Sequence, residues 1–338
     1  MVTGLMNCHH LVAQTFELTY TTELQTDFRK GANWVNLLRS DFTLPLGRKI
    51  EFECASVSVA KTRQERLAND LQVLSNIEAE GIPLAPAVLG IRIPMEQSSF
   101  FFGVRNLNED YFVSSCTSLF TNSSCGIFPT ISANYPIANY PVASMAIDYK
   151  LKFNHWTIES SLYNGTGYRN ITGMNNVFRF CPDADGLLSI ISVDYQRNGN
   201  GYFGGFVFYL EGDSEHKNGR EFDEINVNKK NISTVLWGYI EKRVFRNVHL
   251  LLQYSVSPAA YLNCRNYVGV GMVFHKKQTV GGIFINHADF MDSYEWAGEL
   301  TWKFPFSHKN GYVQPAIHLI RNNQERNILG LLRVGYVL

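Results

Sequence analysis

No stretch of the 338-residue chain approaches 18 consecutive apolar residues, so no α-helical bilayer span is encoded. That absence leaves a membrane β-barrel open, because barrel strands hide their apolar residues in alternation. Neither charge is in excess: 30 basic side chains face 30 acidic ones, for a net charge of zero. A nucleic-acid binder, which carries a basic domain or stripe, is therefore not expected. Charged residues make up 18% of the chain, below the roughly 25% of an ordinary soluble domain. Intrinsic disorder is excluded as well, since 45% of the residues are hydrophobic and the net charge is nil. The six cysteines (Cys8, Cys54, Cys116, Cys125, Cys181, Cys264) form no CxxC pair, which removes zinc-ribbon and thioredoxin readings. GxSxG, HExxH, P-loop and strand-linked GxGxxG motifs are missing, and the nine histidines lack ligand spacing. Neither an enzyme nor a cofactor or metal is expected. Residues 1–14 lack a basic segment and read as the remnant of a signal peptide or a disordered start. Residues 15–338 read as one domain.

What is abundant is period-two alternation, the mark of strands with one apolar and one polar face. Phe16, Leu18, Tyr20 and Leu24 alternate with Glu17, Thr19, Thr21 and Glu23. Met145, Ile147, Tyr149 and Leu151 alternate with Ala146, Asp148, Lys150 and Lys152. About sixteen such segments are legible: 15–26, 34–44, 48–60, 86–95, 98–106, 142–153, 154–164, 187–198, 201–211, 232–244, 246–257, 262–276, 278–288, 293–305, 310–321 and 327–338. Most exceed the 5–6 residues of a mean soluble strand and approach the 9–11 that a tilted strand needs to cross a bilayer. Tight turn signals such as Pro45-Leu46-Gly47 and Asn198-Gly199 alternate with longer connections at 61–85, 107–141, 165–186 and 212–231. Short turns on one rim and long loops on the other are the outer-membrane pattern.

A soluble sandwich of this many long strands would leave many edges to protect, whereas closure removes them all. The expected fold is therefore an all-β, antiparallel up-and-down transmembrane barrel of about 16 strands. Its apolar face meets lipid and its polar face lines a lumen too wide for side chains to fill. Trp34, Phe42, Trp156, Tyr202, Tyr267, Trp302, Phe304, Tyr312 and Tyr336 are expected in interfacial girdles. The water-facing set mixes both charge signs: Glu17, Glu23, Arg39, Asp41, Glu51, Glu53, Arg92, Arg105, Asp148, Lys150, Lys152, Glu159, Glu295, Glu299, Lys303, His318 and Arg333. A mixed lumen suits neutral polyhydroxylated solutes better than ions of one sign.

Two connections stand apart. Segment 61–79 places Leu67, Leu71 and Leu74 at helical spacing and predicts a short helix. Segment 107–141 is long and aromatic, with Pro129, Pro136 and Pro141, and is expected to fold into the barrel mouth. Cys116 and Cys125 lie close together within it; an oxidising compartment would allow a disulfide, and the alternative is two free thiols.

Asp70–Ala79, DLQVLSNIEA, and the stretch Ser123–Asn134, SSCGIFPTISAN, followed by Tyr140-Pro141-Val142, resemble segments of the carbohydrate-selective, OprB-type porins of Gram-negative outer membranes. Tyr163-Asn164-Gly165, and Val313-Gln314-Pro315 with Ile320-Arg321-Asn322, add shorter likenesses in the same order. Cys125 stands where that family has an aromatic, and residues 1–60 carry no match. The resemblance implies a sixteen-stranded barrel in the outer membrane, embedded in its lipids, passing sugars by diffusion through a narrowed pore. Its constriction elements would be the 61–79 and 107–141 segments. Candidate contributors are Arg63, Arg66, Asn69, Asp70, Glu78, Asn108, Glu109 and Asp110, with Arg39, Arg92 and Arg105 on the wall. The same reading allows a homo-oligomer. The alternatives are a plugged barrel serving as a structural subunit of an envelope complex, and a soluble β-rich glycan-binding protein.

Overall fold

The computed structural model describes residues 14–29, 31–47, 49–213, 231–306 and 310–338. The start of the chain expected to be a targeting remnant lies almost wholly outside these residues. Sixteen strands alternate along the chain: β1 (Thr15–Thr26), β2 (Ala32–Pro45), β3 (Glu51–Lys61), β4 (Ile82–Pro94), β5 (Ser98–Arg105), β6 (Ser144–Phe153), β7 (Trp156–Asn164) and β8 (Leu187–Arg197) form the first half. The second half comprises β9 (Asn200–Leu210), β10 (Ile232–Phe245), β11 (Val248–Val256), β12 (Cys264–Lys276), β13 (Thr279–Phe290), β14 (Tyr294–Phe306), β15 (Gly311–Asn322) and β16 (Arg326–Val337). Every strand pairs antiparallel with its sequence neighbour, and β1 pairs with β16 in the register Thr19↔Val337 to Thr26↔Gly330, closing the barrel. Closure leaves no edge, so the backbone ladders run strand to strand all the way round the wall.

The hairpins on one rim are tight. At the β8–β9 turn, Asn198 and Gly199 both take positive φ (53° and 75°), the geometry of a two-residue turn that follows the strand twist. The opposite rim carries the connections 62–81, 106–143 and 165–186. Outward side chains in the middle of the strands are large and apolar: Phe206, Leu252, Val270, Ile285, Leu300 and Leu319 are all exposed. No helix among the described residues is long and apolar enough to cross a membrane.

Several expectations need correction. Segment 61–79 contains no helix; Val73 sits at φ 49°, which no α-helix accommodates, and Leu67 and Leu74 dock the chain on the wall while Leu71 is exposed. Leu74 is buried with Ile320 and Leu329, with Leu67 packed beside them. The short helices fall elsewhere, at Pro129–Ser132 and Pro182–Asp185, with single 3-10 turns at Leu107–Glu109, Thr117–Leu119 and Ser123–Cys125. Of the two alternatives open for Cys116 and Cys125, the structure has the free thiols, both buried. Tyr267 is 1% exposed and, like Tyr312, points into the barrel rather than to a girdle.

The largest correction concerns the inner wall. From β8 to β13 it is largely apolar, built of Leu188, Ile190, Phe203, Val207, Trp237, Tyr239, Leu251, Val273 and Phe284, with Ser192, Glu241, Gln253, Ser255 and Asn286 as buried polar members. These side chains are covered rather than left facing an open lumen. The 106–143 segment covers it with Leu107, Phe112, Leu119, Phe120, Phe128 and Ile131, forming one buried cluster inside the barrel. Phe112 lies 4.8 Å from Trp237 edge-on, and Phe120 lies 5.0 Å from Phe284. Each such fully buried aromatic contributes about 1.5–3 kcal/mol, so the segment is a packed layer rather than a loose flap.

Candidate functional site

The narrowed lumen follows from that packing. With the β8–β13 side filled, free space remains against β1–β4, bounded by the two inward-folded segments. They are joined to each other: the Asn76 amide donates to the Thr121 carbonyl at 2.7 Å, and the Ser123 amide to the Val73 carbonyl at 3.2 Å. Three wall glutamates hold them in place. Glu299 accepts from the Thr121 amide (2.9 Å), the Thr121 hydroxyl (3.0 Å) and the Asn122 amide (3.0 Å). Glu295 accepts from the amides of Leu71 (2.7 Å) and Gln72 (3.0 Å). Glu241 accepts from the Cys116 amide at 2.8 Å and from the hydroxyls of Ser114 and Ser115. A carboxylate receiving backbone N–H groups is a charge-assisted contact, stronger than a neutral one. His318 adds a 2.9 Å contact from its Nε2 to the Thr121 hydroxyl.

The space left is a cavity of about 680 Å³, within the roughly 300–1,000 Å³ of small-molecule sites. Its charged lining is Arg39 and Arg333 against Glu78 and Glu109, with Asn76, Asn106, Asn108 and Asn139 supplying amides. Tyr140, Tyr312 and Phe112 supply ring surface. The charges are tied down. Arg39 bridges Asp41 (2.6 Å) and Glu109 (2.7 Å), crossing from the wall to the inward segment. Arg333 donates to Glu23 at 2.5 Å and to Asn76 Oδ1 at 2.6 Å. Glu78 accepts from Asn33 Nδ2 at 3.4 Å and lies 3.9 Å from Lys61. Burial raises the Glu78 carboxyl above its ordinary value; Lys61 opposes that rise without cancelling it.

The candidate residues distribute unevenly. Arg39, Glu78, Asn108 and Glu109 line the cavity. Arg63 and Arg66 are exposed at the rim, away from it, and Asn69 is likewise exposed there. Asp70 is buried and structural: it accepts from Arg66 at 2.8 Å and from the Leu74 amide at 2.5 Å, fixing the turn. Arg92, Arg105 and Asp110 form a chain along the wall. Arg92 and Arg105 both contact Glu53, and Arg105 also pairs with Asp110, which in turn receives Lys150 at 2.9 Å. Burial alone would raise the Asp110 carboxyl, but Arg105 and then Lys150 outweigh it and hold it well below the usual range. Burial, helped by Glu241, pushes the Cys116 thiol up to about 12, so it stays protonated and unreactive.

Arg333, Tyr140 and Tyr312 line the cavity but were not singled out from the sequence as constriction residues. For Arg333 the signal existed. It alternates inward on the last strand, and closure sets that strand beside β1, where Arg333 pairs across the sheet with Glu23.

No family model matches the chain, and no curated protein is detectably similar to it. Solved structures do match across 96% of it. OprB of Pseudomonas putida aligns with a TM-score of 0.60 at 12% identity, over 92% of that chain. A variant of the Rh. blastica porin aligns at 0.62 and 8% identity over all of its length. A loop-deletion variant of OmpT, an outer membrane protein of Vibrio cholerae, aligns at 0.60 and 9% identity over 99% of its length. At these identities the likeness establishes the fold: a closed sixteen-strand barrel of the kind found in OprB and other porins.

Proposed function

We propose that the chain is an outer-membrane porin of a Gram-negative bacterium that passes small neutral polyhydroxylated solutes, sugars foremost, through the 680 Å³ cavity beside β1–β4. The observation that carries this reading is the cavity's lining. Two arginines are balanced by two glutamates, asparagine amides make much of the remaining polar lining, and tyrosine rings offer flat apolar faces. A lumen dominated by one sign would favour the opposite ion; a balanced one with rings and amides matches a sugar, which presents hydroxyls on its edge and C–H groups on its face. The outward apolar belt supports residence among outer-membrane lipids.

One observation favours a second reading, a plugged barrel with an interaction role: the 106–143 segment and the wall share one continuous buried apolar cluster inside the barrel. Reconstitution separates the two. Proteoliposomes carrying the barrel should swell in isosmotic solutions of small neutral sugars, with rates falling as solute size increases. A plugged barrel gives no swelling with any solute.

A further inference from the structure

We propose that the lumenal wall at β6–β7 holds a divalent-cation site of the hard, oxygen-seeking class, Ca²⁺ or Mg²⁺, formed by Asp110, Asp148 and Glu159. One oxygen from each carboxylate lies within 4.8 Å of the others, a span that a single ion bridges. Asp148 is 0% exposed and Glu159 2%. Asp148 Oδ2 accepts from the Ser161 hydroxyl at 2.8 Å, while its Oδ1 has no hydrogen-bond partner among the described residues. A separate group points the same way. The Tyr163 side chain, 0% exposed, stands on the same face of β7 with its hydroxyl unpartnered among the described residues and in electrostatic reach of all three carboxylates. A buried hydroxyl without a partner is costly, and a water on a bound ion would satisfy it.

Charge gives the same answer. The groups that face this spot are Glu53 from β3, Arg92 from β4, Arg105 from β5, Asp110 from the inward segment, Asp148 and Lys150 from β6, Glu159 from β7 and Asp194 from β8. Five carboxylates meet three cations. Arg92, Glu53, Arg105, Asp110, Lys150 and Glu159 link in one chain of ion pairs, which leaves Asp148 with only a hydroxyl. A fully buried carboxylate with no ion-pair partner in contact favours binding a proton or a cation. Three converging carboxylates favour the cation, and their hard oxygens favour Ca²⁺ or Mg²⁺ over softer metals. The Lys150 ammonium, 2.9 Å from both Asp110 and Glu159, is the built-in competitor; Asp194 offers it a place to go. Because Asp110 belongs to the inward segment and the other two ligands to the wall, the ion would tie the base of that segment to the barrel.

The test is direct binding to the folded, detergent-solubilised barrel after chelator treatment. Ca²⁺ alone is titrated by calorimetry, and Tb³⁺ by its luminescence, sensitised through Tyr111 and Tyr163. One site is expected in the unmodified protein. Lys150→Met should tighten it, and Asp148→Asn should weaken it, each on the order of tenfold or more. Unheated electrophoretic mobility reports whether each variant is folded. Absence of binding in both the unmodified barrel and Lys150→Met would overturn the site and leave a protonated Asp148 as the occupant's substitute. Binding that folded Asp148→Asn leaves unchanged would overturn it equally. Should Asp148→Asn fail to fold, the Lys150→Met affinity still decides, since no tightening contradicts the geometry.

Discussion

Replacing Glu299 by Ala tests how the inward segment is held. The carboxylate is 3% exposed and receives the Thr121 amide and hydroxyl and the Asn122 amide, all at 2.9–3.0 Å. Thr121 and Asn122 are themselves 0% and 2% exposed, so both amides lose their acceptor in a place that water reaches poorly. Each buried donor left unsatisfied costs about 1–3 kcal/mol. Taking the lower half of that range for two amides gives a local loss of about 3 kcal/mol. At 1.4 kcal/mol per tenfold, amides between Leu119 and Ser124 should exchange hydrogen roughly 100-fold faster. The barrel strands should keep their protection, because their ladders are untouched. Glu299→Gln, which retains an acceptor oxygen, should show a smaller effect. Hydrogen exchange read by mass spectrometry on this peptide provides the measurement. Unchanged protection in Glu299→Ala would refute the reasoning, and would assign docking to the remaining contacts, among them the Phe120–Phe284 packing and the His318–Thr121 contact.

Other outcomes follow from the same geometry. Arg39→Ala removes one of the two arginines lining the cavity and should shift bilayer reversal potentials toward cation preference, while Arg66→Ala at the rim should leave them unchanged. Glu78, raised by burial, should lose its charge on acidification before an ordinary glutamate does, leaving Arg39 and Arg333 against Glu109 alone; anion preference should grow as it protonates, and Glu78→Gln should show that preference before acidification and gain none from this step. Because the folded-state value is raised, docking of the 62–81 segment should also gain stability as pH falls through the same range. Ile285→Arg on the outer face should cost about 2–4 kcal/mol in folding into vesicles, and tolerance of it without loss would contradict a lipid-facing belt.

Strands were the legible part, for a physical reason. Where one face meets lipid and the other carries polar groups, alternation is forced, and the bounds read from it mostly differ from those observed by one to three residues. The largest miss, at the start of β4, falls where the pairing with β3 shifts register and the alternation breaks. The apolar inner wall was harder to see, since alternation carries no message when both faces are apolar. Leu250-Leu251-Leu252, Ile190-Ile191 and Phe206-Val207-Phe208 hold that information as unbroken apolar runs inside barrel strands. Leu251, Ile190 and Val207 are the inward members, each 0% exposed. The 61–79 segment misled because its leucine spacing does not mark one buried face: Leu67 and Leu74 pack on the wall, while Leu71 between them is exposed. The cavity itself was only half legible: Arg39, Glu78, Asn108 and Glu109 stood out as charged or polar groups on inward elements, whereas Tyr140 and Arg333 become neighbours only through closure.

Conductance of the purified barrel in a planar bilayer, recorded while neutral sugars of increasing size are added, probes the central claim most directly. A lumen narrowed but not filled predicts steady single-channel current that small sugars reduce and that Arg39→Ala alters. A silent bilayer, from protein shown by its unheated mobility to be folded, would mean that the 106–143 segment seals the barrel and that nothing passes.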